Sequence, residues 1–325
     1  GLRDWTWSRG LGDVYKRQVC MMAGTASLPH VMMRYFTTPS VKAARRSVGW
    51  SLFFIFLLYS SAPMLATLSK LSLMDPNLAT GIIGKSISEV QAIDWYQNWN
   101  QANLMFVSDF NGNGTLELNE FFMGGKAVVL ATPEIAGLPY VISGLVAAGG
   151  MAAAMSTADG LVLAISNALS HDIYYKMINP KAETAKRLLI ARILLVLIGF
   201  AGATIAALEI QGILGSVIWA FDFAMSGLFF PLVLGVWWKR ANAQGAVAGM
   251  LGGLAAGTAY LIAVRSGYPG FLDITQLTFG IVGSVVSLVL MIVVSLATKA
   301  PDAATQKMVD EVRVPSGKAI LGRQH

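Results

Sequence analysis

At 325 residues, with 55% hydrophobic and 13% charged side chains and a mean hydropathy of +0.58, the chain has roughly half the charge of a soluble domain; this excludes a water-soluble globule and points to an integral membrane protein. The net charge of +6 would direct a soluble protein towards nucleic acid, but here Lys and Arg gather between apolar runs, so they report membrane topology and no nucleic-acid partner is expected. The single cysteine, Cys20, excludes an internal disulfide framework, and no nucleophile–base pair, phosphate-binding loop or His/Cys metal cluster suggests an enzyme.

A helix crosses a bilayer with about 20 apolar residues. Seven such segments follow in chain order: 19–35, 47–69, 137–169, 187–209, 211–237, 243–265 and 275–298. The expected class is an all-α multi-pass membrane protein. Loops on one side carry Arg34, Lys42, Arg45 and Arg46, then Lys176, Lys181, Lys186 and Arg187, then Lys239 and Arg240. A polar tail, 299–325, adds Lys299, Lys307, Arg313, Lys318 and Arg323. The other side has only Lys70, Lys85, Lys126 and Arg265. The positive-inside rule places the first set and the C-terminus in the cytoplasm.

Residues 1–18 carry Arg3, Arg9, Lys16 and Arg17, the wrong sign for the side on which the first segment should begin. The run GLGDVYKRQ (10–18) resembles an adaptor-derived assembly artefact, so a non-native or truncated leader and a missing upstream half are expected. Residues 19–69 then hold two membrane segments. Gly24, Thr25 and Ser27 lie in the first, with Pro29 just beyond. A broken, substrate-facing helix and close helix packing by small residues both fit this pattern.

A long polar loop, 70–136, follows. Trp95, Tyr96 and Trp99 read as an interfacial aromatic cluster. Residues 109–120, DFNGNGTLELNE, match the EF-hand calcium-loop pattern at every defined position. Side-chain oxygens would come from Asp109, Asn111 and Asn113, a carbonyl from Thr115, a bridging water through Glu117 and a bidentate carboxylate from Glu120; Gly114 permits the turn and Leu116 takes the usual apolar position. An accidental oxygen spacing in an Asn/Gly-rich loop is the alternative. No second copy is present, and two early ligands are neutral, so weak binding with Kd of about 0.1–1 mM is expected.

Residues 137–298 hold the remaining five segments. In the first of these, Ser156, Thr157 and Asp159 interrupt an apolar helix. Hydrocarbon cannot solvate such groups, so they face protein, an ion or water. Ala153, Ser156 and Thr157 are i, i+3 and i+4, hence on one helical face, although Ser and Thr can also bond to the carbonyl four residues back. Asp159 points to a different face and could couple, take a proton, cap a helix or form an ion pair. Asp222 is a second intramembrane carboxylate, lining an outer vestibule or making a structural hydrogen bond. His30 and His171 read as helix-end groups, and the Gly and Ala runs at 147–154 and 249–257 as packing surfaces.

Several stretches resemble the sodium:solute symporter family, in particular its acetate/monocarboxylate-type members. They are GTASLPH at 24–30 with Met33, Arg34, Tyr35, Phe36 and Thr37; LATPEIAGLP at 130–139; AAMST at 153–157; SNALSHDIY at 166–174; and Phe230, Pro231, Gly235, Trp238, Lys239 and Arg240 with GAVAGM at 245–250. The resemblance covers about residues 19–300. It implies a partial leucine-transporter-type inverted-repeat fold, with substrate and sodium held at mid-membrane between broken helices. It also implies that the carbonyl of Ala153 and the hydroxyls of Ser156 and Thr157 ligate sodium. The family's other sodium ligands come from an early helix without a counterpart here.

The expected function is a sodium-coupled symporter in a bacterial inner membrane, importing a small organic solute such as acetate or another monocarboxylate. Co-transported Na+ and, in the 109–120 loop, Ca2+ are the expected ions; the lipid bilayer and the solute are the expected partners. A transporter-like membrane sensor and a calcium-binding membrane protein without transport are the alternatives.

Overall fold

The computed structural model describes residues 2–33, 37–125, 127–208 and 212–313. Arg34, Tyr35, Phe36, Lys126, Lys318 and Arg323, named above, lie outside them. The chain is mostly helical and divides into two compact units, 1–44 with 160–325 (unit 1) and 45–159 (unit 2).

Six helical spans among the described residues are long and apolar enough to cross a membrane. They are α3 (Val41–Met74), α7 (Tyr140–Asn167, running on as a π-helix over Ala168–Ile178), α8 (Thr184–Ala207), α9 with α10 (Ile213–Ala224 and Phe230–Trp237), α11 (Ala243–Arg265) and α12 (Gly280–Ala297). The protein is thus an integral, all-α multi-pass membrane protein.

The first expected segment, 19–35, is not among the six. Its residues belong to α1 (Leu2–Ser27) and a short α2 (Pro29–Met33), separated at Leu28. Proline lacks an N–H and disfavours α-geometry in the residue before it, which breaks the run there. The boundary expected at residue 18 leaves no mark, because α1 passes through it without interruption.

Within unit 1, α1 packs on α9, and α11 runs along α12. The α11–α12 seam is made by Gly245, Gly249, Gly253 and Gly257, spaced four apart and all buried, against Ser284, Ser287, Met291 and Ser295. A Cβ on Gly253 would fall 2.7 Å from Ser287 Cβ and 3.0 Å from the Gly283 carbonyl, so the two backbones meet only because this face has no side chains.

Between α9 and α10 the chain winds as a π-helix over Met225–Phe229. Pro231, just beyond, cannot donate to the carbonyl of Gly227 and its ring crowds that carbonyl, which widens the turn. The far end of the seam is tied by Asn242, whose side chain caps α11 at the Gly245 amide (2.8 Å) and donates to Thr298 Oγ1 (2.7 Å) and the Lys299 carbonyl (2.9 Å). Beyond it α13 (Ala303–Arg313) lies on α10, with Val309 buried and Lys239 Nζ 2.8 Å from Asp310. The Thr305 hydroxyl and amide bond to Asp302 and hold its carboxyl below the usual range.

In unit 2 the order is reversed: the spans are bare and the loop between them is folded. Residues 70–136 contain α4 (Ile87–Gln91), α5 (Asp94–Gln101), α6 (Val128–Ile135) and an antiparallel hairpin of β1 (Met105–Val107) and β2 (Phe121–Met123). Leu73, Ile82, Val90, Tyr96, Met105, Leu116, Ala127, Ala131 and Ile135 form one buried cluster. The long polar loop of 70–136 is therefore a small domain with its own core. Trp99 Nε1 donates to Glu134 at 2.9 Å and fastens α5 to α6.

Candidate functional site

The Ala153–Ser156–Thr157 face lies mid-way along α7, and all three residues are exposed. Thr157 Oγ1 donates to the Ala153 carbonyl at 3.4 Å, the long end of hydrogen-bond geometry. Three oxygens share one face of an unbroken helix, too few to enclose a cation without a second element. Asp159, also exposed, is i+3 from Ser156 and so lies one turn further on at the edge of that face, not on a different one.

The remaining cavity and coupling candidates lie in unit 1. Gly24 is buried where α1 crosses α9: a Cβ there would be 2.6 Å from both Cβ and the carbonyl oxygen of Phe221. Ser27 is fully buried and donates to the Ala23 carbonyl (2.6 Å); Thr25 donates to the Met21 carbonyl (2.6 Å) and is exposed. Of the two readings of this stretch, Gly24 and Ser27 take the packing one. Asp222 is fully buried, facing the Cys20 thiol and the amides of Phe279 and Gly280, with no donor in full hydrogen-bond geometry on either oxygen among the described residues.

The 109–120 loop sits between the two hairpin strands and not between helices, which separates it from an EF-hand in its surroundings. Its inner geometry is nonetheless ordered. Asp109 accepts from the amides of Gly112 (2.7 Å) and Gly114 (3.1 Å), both glycines with positive φ, of 71° and 67°. Asn111 and Asn113 accept from the amides two residues on and donate to Glu117 Oε1 at 3.0 and 3.1 Å. Thr115 forms a bridge with Ser86 across the loop. Glu120 is fully buried and accepts from the amides of Phe110 and Glu117, both at 3.0 Å. Asp109, Glu117 and Glu120 thus spend their oxygens on the loop itself, and no group of three or more His, Cys, Asp or Glu side chains converges among the described residues.

Of the expected aromatic cluster, Tyr96 is buried in the loop-domain core. Burial pushes its phenol above its ordinary value, partly offset by the Val107 amide that donates to it at 3.1 Å.

One cluster was not expected. In the π-helical run after α7, Arg187 reaches back from α8 to His171 Nδ1 (3.1 Å) and stacks over the Tyr175 ring at 3.6 Å. The sequence reads His171 as a helix-end group and Arg187 as a loop charge, and the structure pairs them.

Comparison with known proteins follows this geometry. Residues 126–253, which contain the α7 face and the Gly245–Gly253 half of the seam, match the sodium:solute symporter family. An uncharacterised symporter of Cupriavidus necator is 45% identical over 258 residues, 79% of this chain and 36% of that protein. A monocarboxylic acid transporter of Corynebacterium glutamicum is 26% identical over 244 residues, 74% of this chain and 37% of that protein. The chain therefore spans little more than a third of the length of these relatives.

Proposed function

We propose that this chain, whose residues 126–253 match the sodium:solute symporter family, is part of a secondary transporter that couples sodium entry to uptake of a small organic solute. The carrying observation is the oxygen-bearing face of Ala153, Ser156 and Thr157, which lies inside that segment. Neutral hydroxyl and carbonyl oxygens suit a monovalent ion that must also leave. The 3.4 Å bond between Thr157 and Ala153 is weak enough for the ion to compete for both oxygens. A second element, moving against α7, would complete and release the site, as alternating access requires. Asp159, Thr25 and Asp222 are the further coupling candidates.

A monocarboxylate such as acetate is the proposed solute, supported by the name of the Corynebacterium glutamicum relative. The proposed location is a bacterial inner membrane with the C-terminus in the cytoplasm, from the Lys and Arg asymmetry of the loops.

The test is uptake of labelled acetate and pyruvate into proteoliposomes holding the protein that carries this chain, with and without an inward sodium gradient. Gradient-driven accumulation is expected. Ser156→Ala with Thr157→Ala should raise half-saturating sodium about tenfold or more, ~1.4 kcal/mol. Unchanged sodium dependence in that variant would remove the site assignment. No flux of either acid would favour the sensor reading.

We also propose weak calcium binding at Asp109, Asn111, Asn113, Thr115, Glu117 and Glu120. The donor set suits a hard cation in kind, and the two left-handed glycines already turn the loop around Asp109. The ion would brace the hairpin. It would have to draw Glu120 from two amides, which is a second reason to expect low affinity.

A further inference from the structure

Asp222 is a fully buried carboxyl of unit 1 with no charged partner among the described residues. We propose that it is a proton-binding site within unit 1, holding its proton in the arrangement seen here and exchanging it when α1 or the N-terminus of α12 moves away. The inference stands whether or not the sodium assignment does.

The first support is burial without a charged partner. Asp222 has no exposed surface, and among the described residues only the Cys20 thiol and the Phe279 and Gly280 amides face its oxygens, none in full hydrogen-bond geometry. Buried polar groups are nearly always hydrogen-bonded, and an orphan calls for an explanation. An ionised carboxylate enclosed without a counter-charge is among the most expensive groups a protein can bury.

No counter-charge is available from the surrounding elements. Asp222 is the one charged residue of α9, the π-helical turn Met225–Phe229 has none, and α12 has none. The one charge of α11 is Arg265 at its end, and that guanidinium lies 5.2 Å over the Trp219 ring. From α1 the group against the carboxyl is the Cys20 thiol. Lys16, one turn earlier, is taken by the carbonyls of Leu272 (2.6 Å) and Asp273 (3.2 Å), and Arg17 is exposed.

A metal cation fits poorly. It needs several oxygens, whereas the nearest groups are a thiol and the main chain of Phe279 and Gly280 at the start of α12. That is the positive end of a helix, where N–H groups point outward. There is also little room: a Cβ on Gly280 would fall 2.8 Å from Asp222 Oδ1. A proton needs neither oxygens nor space.

The surroundings can also open. Cys20, Ala23 and Gly24 of α1 seal this region from one side. The π-helical turn begins three residues after Asp222, and Ser226 in it donates to the Asp222 carbonyl at 2.7 Å. Such turns recur at functional sites.

The test is infrared spectroscopy of the purified protein in lipid nanodiscs over a pH series. A carboxylic-acid carbonyl band is expected to persist at neutral pH and to vanish in Asp222→Asn. Cys20→Ser keeps the carboxyl and replaces the adjacent thiol by a stronger donor, so it should shift the band; this variant reports even if Asp222→Asn does not fold. A parent spectrum with no such band at neutral pH would mean an ionised Asp222 held by the first amides of α12, and would overturn the proposal. A band that no folded variant removes or shifts would overturn it as well.

Discussion

The two units are both built on long apolar helices but keep their cores in different places. In unit 1 the core lies between spans: 39% of the apolar window of Ile213–Trp237 is buried, 33% of that of α12 and 22% of that of α11. In unit 2 nothing in the apolar window of α3 or α7 is buried, and the packed residues sit in the loop domain between them. Hydropathy does not distinguish the two cases. α8 has a higher mean hydropathy than α11 and yet buries none of its window. What differs is small-residue spacing: α11 has a glycine on every turn of one face, while α3 presents Trp50, Leu52, Phe53, Phe54 and Phe56 outward. In lipid, where apolar surface alone gives no reason to associate, backbone approach decides which helices pack.

The sharpest way to break this comparison is to fill the seam. Gly253→Val should cost ~3 kcal/mol or unfold unit 1, because the atoms it meets include main chain that cannot yield. Gly144→Val on α7, where a Cβ meets nothing within 4 Å, should stay within about 0.5 kcal/mol. Thermal melts of the two in one detergent compare them directly, and equal losses would sink the distinction. Next in size is calcium. With Kd of about 0.1–1 mM, ~10 mM calcium should stabilise the loop domain by ~1.4–2.7 kcal/mol, and Asp109→Ala with Glu120→Ala should abolish the shift. A parent melting curve indifferent to calcium would refute binding.

Trp99→Phe removes the donor to Glu134 and should cost ~1.5 kcal/mol, read as faster hydrogen exchange of the loop domain with the α11–α12 seam unchanged. The smallest effect belongs to Lys239–Asp310, whose side chains are both about half exposed. Exchanging the two charges should change stability by no more than ~0.2–1 kcal/mol, and less in high salt. A larger loss would mean that α13 is a stronger clamp on α10 than its geometry indicates.

What could be read from the sequence was local. The bounds of α11 coincide with the expected 243–265, because Asn242 and the charges at either end mark it. The shared face of Ala153, Ser156 and Thr157 follows from helical spacing alone. The loop-domain core was invisible, because Ile82, Val90, Met105 and Leu116 are isolated apolar residues without a common period. Nor could the enclosure of Asp222 be foreseen. It depends on Cys20 and Gly280, which are distant in sequence and brought together by helix packing. Pro231 was a usable sign of the wide turn before it; the longer one after α7 carries no comparable mark.

Cys20 has one more consequence. The single thiol of the chain is fully sealed, so a maleimide dye finds no target within residues 1–325 of the folded protein. A cysteine introduced at an exposed position of α7, such as Ser156, would then be the one labelled atom on a dark background. The accessibility of the oxygen-bearing face could be followed by fluorescence, with no cysteine of residues 1–325 to remove first.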